Sequence, residues 1–213
     1  MNTYTVHVVG DSHVNFFTGN GSIFPNPPPV HFKNPNEPFF VHWIGPALAY
    51  KLDKRVREII NLSKEYFKEG DEGLLVFGEI DCRCHILKNR IQNEDIDTAA
   101  QRCVYQYAKY AHWLRAETGF KWNFFGPNPS MPAMSVGGNW FDTVGTPKER
   151  NEATKSFNRH LKAYAVTHGF GFVSLFDKIV DRELNTNQNY FLDGIHLSQK
   201  AWPLFKTEWE KTR

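Results

Sequence analysis

Two short stretches near opposite ends of the chain carry side chains that could together activate a serine. The first, Tyr4–Val14, begins with β-branched and aromatic residues and changes abruptly at Gly10-Asp11-Ser12, which predicts a strand followed by a sharp turn. The second is Asp193-Gly194-Ile195-His196, where a carboxylate precedes a histidine on what can be a single turn. A serine nucleophile needs a base, and the base needs an acid that orients it. The two stretches supply all three groups.

Ser12 lies at the end of the first predicted strand, which is where open α/β sheets place their chemistry. Amide groups at a helix N-terminus would favour negative charge developing there. We therefore predict Ser12 as the nucleophile, His196 as the general base and Asp193 as its orienting acid. The alternative is a strand-ending turn without chemistry. His13 is not expected to be the base, because the side chains of adjacent residues diverge.

The motifs Gly10-Asp11-Ser12-His13 and Asp193-x-x-His196 resemble the first and last sequence blocks of the SGNH (GDSL-like) hydrolases. The resemblance spans nearly the whole chain, because both middle blocks of the family also have candidates. It implies an oxyanion hole built from the N–H of the first-block serine, a glycine N–H and an asparagine side chain. Ser12 matches the first of these donors and Gly45 matches the second.

The third block departs from the family pattern, since Gly78-Glu79-Ile80-Asp81 has Ile80 where the asparagine should stand. Loss of one oxyanion donor typically raises the barrier by about 3–4 kcal/mol. Arg83, which carries several rigid donors, and Asn128, at the end of a later strand, are the candidate replacements. For Arg83 the alternative is an ion pair with an acidic residue of the same block.

Aromatic residues in the predicted loops bear on the substrate. Trp43, Trp140 and the segment Phe16–Phe32 could stack on a sugar ring or hold an acyl chain. The resemblance implies lipid esters, acetylated carbohydrates or acetyl transfer, and the polar loop 137–140 favours a carbohydrate. We predict a serine esterase that releases a small acyl group, acetyl by preference, from a carbohydrate or similar polyol. The alternatives are an O-acetyltransferase and a ligand-binding protein that has lost turnover.

Composition limits the other partners. The 213 residues contain 41% hydrophobic and 23% charged residues, with a net charge of +2, which suits a single domain over 1–213. There is no dense basic run, so neither nucleic acid nor an anionic membrane is an expected partner. No apolar stretch reaches the roughly 18 residues of a membrane helix, and no signal peptide is recognisable, so a cytoplasmic protein is expected.

The three cysteines do not indicate a disulfide framework, because they are few and odd in number. Cys82-x-Cys84-His85 could suggest a metal site, but structural zinc normally has four ligands and no second pair has matching spacing. We predict no metal and no cofactor.

Strand and helix patterns alternate along the chain, which predicts a three-layer α/β/α fold with a mostly parallel, five-stranded sheet. The SGNH resemblance implies the same flavodoxin-like architecture. Phe16–Pro38 is rich in proline and glycine and is expected to be irregular. The predicted strands are Tyr4–Val9, Phe39–Ile44, Leu74–Phe77, Lys121–Phe125 and Gly171–Phe176, and the predicted helices are Ala47–Lys68 in two pieces, Ile96–Glu117, Pro147–His168 and Ser198–Arg213.

Overall fold

One six-stranded sheet organises the computed structural model, which describes residues 4–20, 31–90, 94–132 and 143–213. The strand order is β2-β3-β1-β4-β5-β6, and only β2 runs antiparallel to its neighbour. The strands are β1 (Val6–Gly10), β2 (His31–Lys33), β3 (Phe39–Trp43), β4 (Glu72–Val76), β5 (Lys121–Phe125) and β6 (Gly171–Val173).

Helices cover both faces of this sheet. The α-helices are α1 (Asp53–Tyr66), α2 (Ile86–Lys88), α3 (Ile96–Thr118), α4 (Pro147–His168), α5 (Phe176–Ile179) and α6 (Trp202–Glu210). Neighbouring residues of β1 illustrate the layering: Val9 packs in a core with residues of α1, α3 and α4, whereas Val8 packs in a second core with residues of α5 and α6. In the described part of the chain, no helix combines the length and the apolar character needed to cross a membrane.

The predicted three-layer α/β/α fold with a mostly parallel sheet is confirmed, but the predicted number of five strands was one too few. The missing strand is β2, which pairs with β3 at one edge of the sheet. It lies within the proline-rich segment Phe16–Pro38, and an edge strand of three residues tolerates such neighbours because one side needs no partner. A 3-10 helix, Ser12–Thr18, also extends into the segment that was expected to be irregular.

The helix predictions hold in the middle of the chain and are less accurate at its end. The break near Leu52 is confirmed, because a 3-10 turn at Ala49–Lys51 precedes α1. Helix α4 has the predicted bounds, with Pro147 in its first turn and a capping box between Thr146 and Glu149. The last helix is shorter than predicted: a 3-10 turn at Gln199–Ala201 leads into α6.

The parallel strands follow the flavodoxin-like order: β3 lies on one side of β1, and β4, β5 and β6 follow on the other side. The strand order therefore switches sides between β1 and β4. Ligands of such sheets bind beyond the carboxyl ends of the strands at this point. Close packing there depends on Gly10, where an added Cβ would lie 2.1 Å from the Val76 carbonyl oxygen. The turn that follows β1 is thus held against the end of β4.

Three histidines and an aspartate form a hydrogen-bonded chain across the sheet. Asp71 Oδ2 lies 3.1 Å from His7 Nε2, His7 Nδ1 lies 2.9 Å from His42 Nε2, and His42 Nδ1 lies 2.9 Å from His31 Nδ1. Every contact is satisfied by neutral rings if each histidine donates toward Asp71. Burial and the neighbouring histidines lower the pKa of His42 to about 2, and burial also lowers the pKa of His7.

We expect the free energy of unfolding to decrease as the pH falls from 7 to 5. The unfolded chain protonates His42 below a pKa of about 6.5, whereas the folded chain keeps it neutral, so stability is complete above that pH and declines below it. One such histidine changes the free energy of unfolding by at most about 1.4 kcal/mol per pH unit. Urea unfolding of His42→Phe should show lower stability at pH 7 and a flatter pH dependence than the unsubstituted protein.

The control for this prediction is Ile59→Val, which shortens a fully buried α1 side chain and leaves the histidines intact. It should lose about 0.5–1.5 kcal/mol at every pH and keep the original slope. Equal slopes for His42→Phe and Ile59→Val would show that the histidine chain does not determine the acid sensitivity.

Candidate active site

Ser12 is positioned by the transition from β1 to the 3-10 helix Ser12–Thr18. All five residues of β1 are buried, and the Asp11 side chain caps the helix by accepting a hydrogen bond from the His13 N–H. Because Ser12 occupies the first position of the helix, its own N–H belongs to the turn that lacks intrahelical acceptors. Ser12 thus presents both a hydroxyl and a backbone donor at the carboxyl edge of the sheet.

His196 and Asp193 lie on a tight loop whose two sides are joined at Phe191 and Leu197. Within the loop, Asp193 Oδ1 accepts hydrogen bonds from the N–H groups of Ile195 and His196 at 2.7 and 2.6 Å. These bonds fix the carboxylate relative to the backbone that carries the histidine, as expected of an Asx turn.

The loop brings the three predicted residues into one hydrogen-bonded chain. His196 Nε2 lies 2.8 Å from Ser12 Oγ, and His196 Nδ1 lies 2.8 Å from Asp193 Oδ2. Burial alone would raise the pKa of Asp193, but the hydrogen bonds and charge of His196 hold it well below its usual range. Asp193 is therefore ionised at neutral pH and favours the tautomer with a proton on Nδ1, which leaves Nε2 free to accept from Ser12.

Gly45 lies in the loop after β3, close to the end of β1. The preceding residue, Ile44, donates its N–H to the Gly10 carbonyl at 3.0 Å. Gly45 itself has φ = 86°, a left-handed conformation that residues with a side chain rarely adopt. The same loop is anchored farther on by the buried Asp81, whose carboxylate accepts from the N–H groups of Ala49 and Tyr50 at 2.7 and 3.2 Å.

Asp81 was not predicted as a site residue, although it stands in the third sequence block. Its two backbone contacts connect the segment after β4 to the loop that carries Gly45. Burial raises the pKa of Asp81 to about 6, against the lowering effect of the hydrogen bonds it accepts. The sequence contained no signal for this contact, because the partners are backbone groups more than thirty residues away.

Arg83 and Asn128, the two candidates to replace the missing asparagine donor, have different surroundings in the structure. The Arg83 guanidinium is turned to Glu79, with Nε 2.8 Å from Oε1, and both side chains are buried. This is the alternative that we considered for Arg83 from the sequence. Asn128, which follows β5, lines a recess at the carboxyl edge together with Asp11 and His13, the two neighbours of Ser12.

His13 forms a second acid–histidine contact beside the first. Its Nδ1 lies 2.8 Å from Asp11 Oδ1, and its ring centre lies 5.0 Å from that of His196. Burial alone would lower the pKa of His13, but the negative charges of Asp11 and Glu79 and the hydrogen bond to Asp11 raise it to about 9. The His13 ring thus contacts Asp11, whereas it is the His196 ring that contacts Ser12 Oγ.

The structure describes only one of the two tryptophans that were predicted to bind substrate. Trp43 ends β3 and packs, half-buried, against the core on the α6 side of the sheet, and its indole N–H has no hydrogen-bond partner among the described residues. Trp140 lies outside the described residues, as does the rest of the loop 137–140. Their part in substrate binding stays a prediction.

The metal alternative at Cys82-x-Cys84-His85 receives no support from the described residues. Among them, no group of three or more His, Cys, Asp or Glu side chains could hold a metal ion. Cys82 is buried as a free thiol, and Cys84 is half-buried. His85 lies 3.7 Å from Asp81 Oδ1.

Comparison with known proteins identifies the fold. No family model matches the sequence, and no curated protein matches it. A solved GDSL-like lipase from Bacteroides thetaiotaomicron is 18% identical with a TM-score of 0.59, over 98% of this chain and 87% of that one. An acetyl-xylooligosaccharide esterase variant from Geobacillus Stearmophilus is 11% identical with a TM-score of 0.59, over 100% and 96% of the two chains.

A lipase/acylhydrolase from Enterococcus faecalis is also similar, with 16% identity and a TM-score of 0.54 over 97% of this chain and 94% of the other. These likenesses show that the chain has the fold of the SGNH (GDSL-like) hydrolases, as its first and last sequence motifs predicted.

Proposed function

We propose that this protein, which has the SGNH hydrolase fold, is a serine esterase that removes a small acyl group from a carbohydrate or similar polyol. The observation that carries the proposal is the chain of two 2.8 Å contacts from Ser12 through His196 to Asp193. A nucleophile, a base and an orienting carboxylate in this arrangement are the components of acyl transfer.

The reaction has two balanced steps. In the first, Ser12 Oγ bonds to the ester carbonyl carbon while its proton moves to His196 Nε2, and the ester C–O bond breaks as that proton passes to the leaving alcohol. In the second, His196 takes a proton from water, the water oxygen bonds to the acyl carbon, and the proton returns to Ser12 as the free acid leaves. If a sugar hydroxyl replaced the water, the same steps would transfer the acyl group to that sugar.

The oxyanion formed in each step needs hydrogen-bond donors. We assign two of them to the backbone N–H groups of Ser12 and Gly45, which belong to adjacent turns at the carboxyl edge. For the third donor, the ion pair of Arg83 with Glu79 shifts our proposal from Arg83 to the Asn128 side chain. Asn128 would restore the asparagine donor that Ile80 removes, from a different strand end.

The size of the site supports a small acyl group. The recess lined by Asp11 and His13 has room for little more than a water-sized group, so it cannot take a long acyl chain. Acetyl is the simplest group of this class. An acetyl-xylooligosaccharide esterase among proteins of the same fold supports the carbohydrate assignment.

A fluorophosphonate probe tests the proposed nucleophile. We expect the protein to be labelled, with the modification mapped to Ser12 by peptide mass spectrometry, because only an activated serine reacts readily with such probes. Ser12→Ala should not be labelled, and Ser130→Ala, which removes another buried serine, should be labelled as efficiently as the unsubstituted protein. If the folded protein resisted the probe and hydrolysed no simple ester, the non-catalytic alternative would replace this proposal.

A further inference from the structure

The segment that follows β5, residues 126–131, runs through the interior of the protein. Every residue in it is buried, including Asn128, which we assign as an oxyanion donor. Connecting segments usually lie at the surface, because buried backbone N–H and C=O groups need hydrogen-bond partners. The partners of this segment therefore show what holds Asn128 in place.

Asn151 of α4 bonds to the backbone of Ser130, two residues after Asn128. Its Oδ1 atom accepts from the Ser130 N–H at 2.7 Å, and the whole residue is 1% exposed. An N–H group can only donate, so this contact fixes which way round the Asn151 amide lies. The side chain of the helix thus takes the place that a neighbouring strand would occupy.

The amide nitrogen of Asn151 ties the same segment to a hairpin whose two sides meet at Val180 and Thr186. Nδ2 donates to the Leu184 carbonyl at 2.8 Å and to Thr186 Oγ1 at 3.0 Å. The Thr186 hydroxyl in turn donates to the Ser130 carbonyl at 2.6 Å. Among the described residues other than glycine, only Leu184 has a positive φ, 67°, a conformation that persists where the surroundings enforce it. Both backbone groups of Ser130 are thus bonded by Asn151 or by its partner Thr186.

The backbone before Asn128 is held by the same helix. Asn158, two turns along α4 from Asn151, donates from Nδ2 to the Pro127 carbonyl at 3.0 Å. Proline fixes its own φ, and Pro129 restricts the residue before it, Asn128, to extended conformations. Asn128 therefore lies in a backbone that is bonded to α4 one residue before it and two residues after it. The helix sets the position from which the Asn128 side chain can act.

We propose that Asn151 is a positioning residue of the esterase: by holding Ser130, it keeps the Asn128 amide where that amide can donate to the oxyanion. This inference rests on the proposed esterase function and on the donor role assigned to Asn128. Oxyanion donors act because they are already in place when the charge develops, and a displacement of about 1 Å can cost on the order of 100-fold in rate. The hydrogen bonds of Asn151 reach none of the three proposed catalytic residues, so its effect passes through residues 126–131.

Asn151→Leu is the first test, because leucine has a similar size and its side chain forms no hydrogen bonds. We expect kcat for a simple aryl ester to fall about 10- to 100-fold, with KM changed by less than about threefold, since the oxyanion exists only during the reaction. Steady-state kinetics is the measurement, at a temperature where urea unfolding shows that the variant is folded.

The same substitution in an Asn128→Ala background separates positioning from a general loss of stability. Once the amide is absent, a displaced segment has no donor to misplace, so Asn151→Leu should lower kcat further by less than about threefold. A loss caused by general destabilisation would have the same size in both backgrounds.

Thr186→Val is a milder variant, because it keeps the side-chain volume and removes only the hydroxyl that donates to the Ser130 carbonyl. We expect kcat to fall about three- to tenfold, and this loss should also disappear in the Asn128→Ala background. Thr154→Val is the control: it removes a buried hydroxyl on α4 that donates to the Arg150 carbonyl of the same helix, and it should keep normal kcat.

The outcomes separate this inference from the esterase proposal. Hydrolysis that depends on Ser12 but loses kcat equally in both backgrounds, or keeps its kcat in folded Asn151→Leu, would overturn the positioning role and leave the esterase proposal standing. A normal kcat in Asn128→Ala would do the same, because no donor would then be held. Absence of both ester hydrolysis and fluorophosphonate labelling would overturn both. If Asn151→Leu does not fold, Thr186→Val decides by the same comparison of backgrounds.

Discussion

Replacing His196 with alanine is expected to lower kcat for a simple aryl ester by about 10⁵-fold or more. The hydroxyl of serine is a weak nucleophile at neutral pH, and His196 Nε2, 2.8 Å from Ser12 Oγ, is the group placed to take its proton. Turnover by steady-state kinetics is the measurement, with circular dichroism to confirm that the variant is folded.

Asp193→Asn should be almost as damaging as the histidine substitution, although it changes only one atom. An amide at this position can donate to His196 Nδ1, which would place the histidine's proton on Nε2 and remove the acceptor that Ser12 needs. We expect a loss on the order of 10⁴-fold in kcat if the tautomer is the main effect of Asp193. The carboxylate also fixes the loop through the Ile195 and His196 N–H groups, so unfolding must be measured in parallel.

Two controls make the histidine experiment specific. Added imidazole should partly restore the activity of His196→Ala, because a small base can occupy the space left by the ring, and a purely structural role would not respond. His160→Ala removes a histidine whose side chain contacts Asp97 and none of the three proposed catalytic residues, and it should keep normal turnover. A normal rate in His196→Ala would assign the base to another residue.

The sequence predicted the parts of this site that depend on local patterns. The strand-to-turn change at Gly10-Asp11-Ser12 and the Asp-x-x-His spacing are both recognisable without knowledge of distant contacts. The alternation of strands and helices then determines that the ends of parallel strands share one edge of the sheet. Ser12 and His196, far apart in the chain, were expected to meet because the two motifs together supply a nucleophile, a base and an orienting acid, and the structure brings them into hydrogen-bond contact.

Features that depend on long-range partners were not predictable. The edge strand β2 exists because β3 offers it an antiparallel partner, and its three residues carry too little pattern to overcome the prolines nearby. Asp81 depends on backbone donors in a separate loop, more than thirty residues away in the chain. The polar recess combines residues from three strand ends, and no single stretch of sequence indicates it.

The oxyanion donor is the part of the proposed mechanism in which this chain departs most from the SGNH pattern. Asn128→Ala is expected to lower kcat by about 100- to 1000-fold, with a smaller change in KM, because the donor acts mainly on charge that develops in the transition state. Asn128 is 4% exposed at the end of β5, so a loss of stability could also lower activity. Urea unfolding must therefore accompany the kinetics.

Asn128→Asp tests whether the Asn128 side chain acts as a hydrogen-bond donor or only packs against its neighbours. Aspartate has nearly the same size as asparagine, so it would preserve the packing, and kcat is compared at a temperature where urea unfolding shows that the variant tolerates the buried carboxyl group. If the amide donates to the oxyanion, the substitution replaces that donor with a negative charge, and kcat should fall at least as far as in the alanine variant.

Arg83→Met, by contrast, leaves Glu79 as a buried charge without its ion pair, so the unfolding free energy should decrease by about 3–5 kcal/mol. A loss of kcat in Arg83→Met larger than in Asn128→Asp, at a temperature where both remain folded, would return the donor role to Arg83.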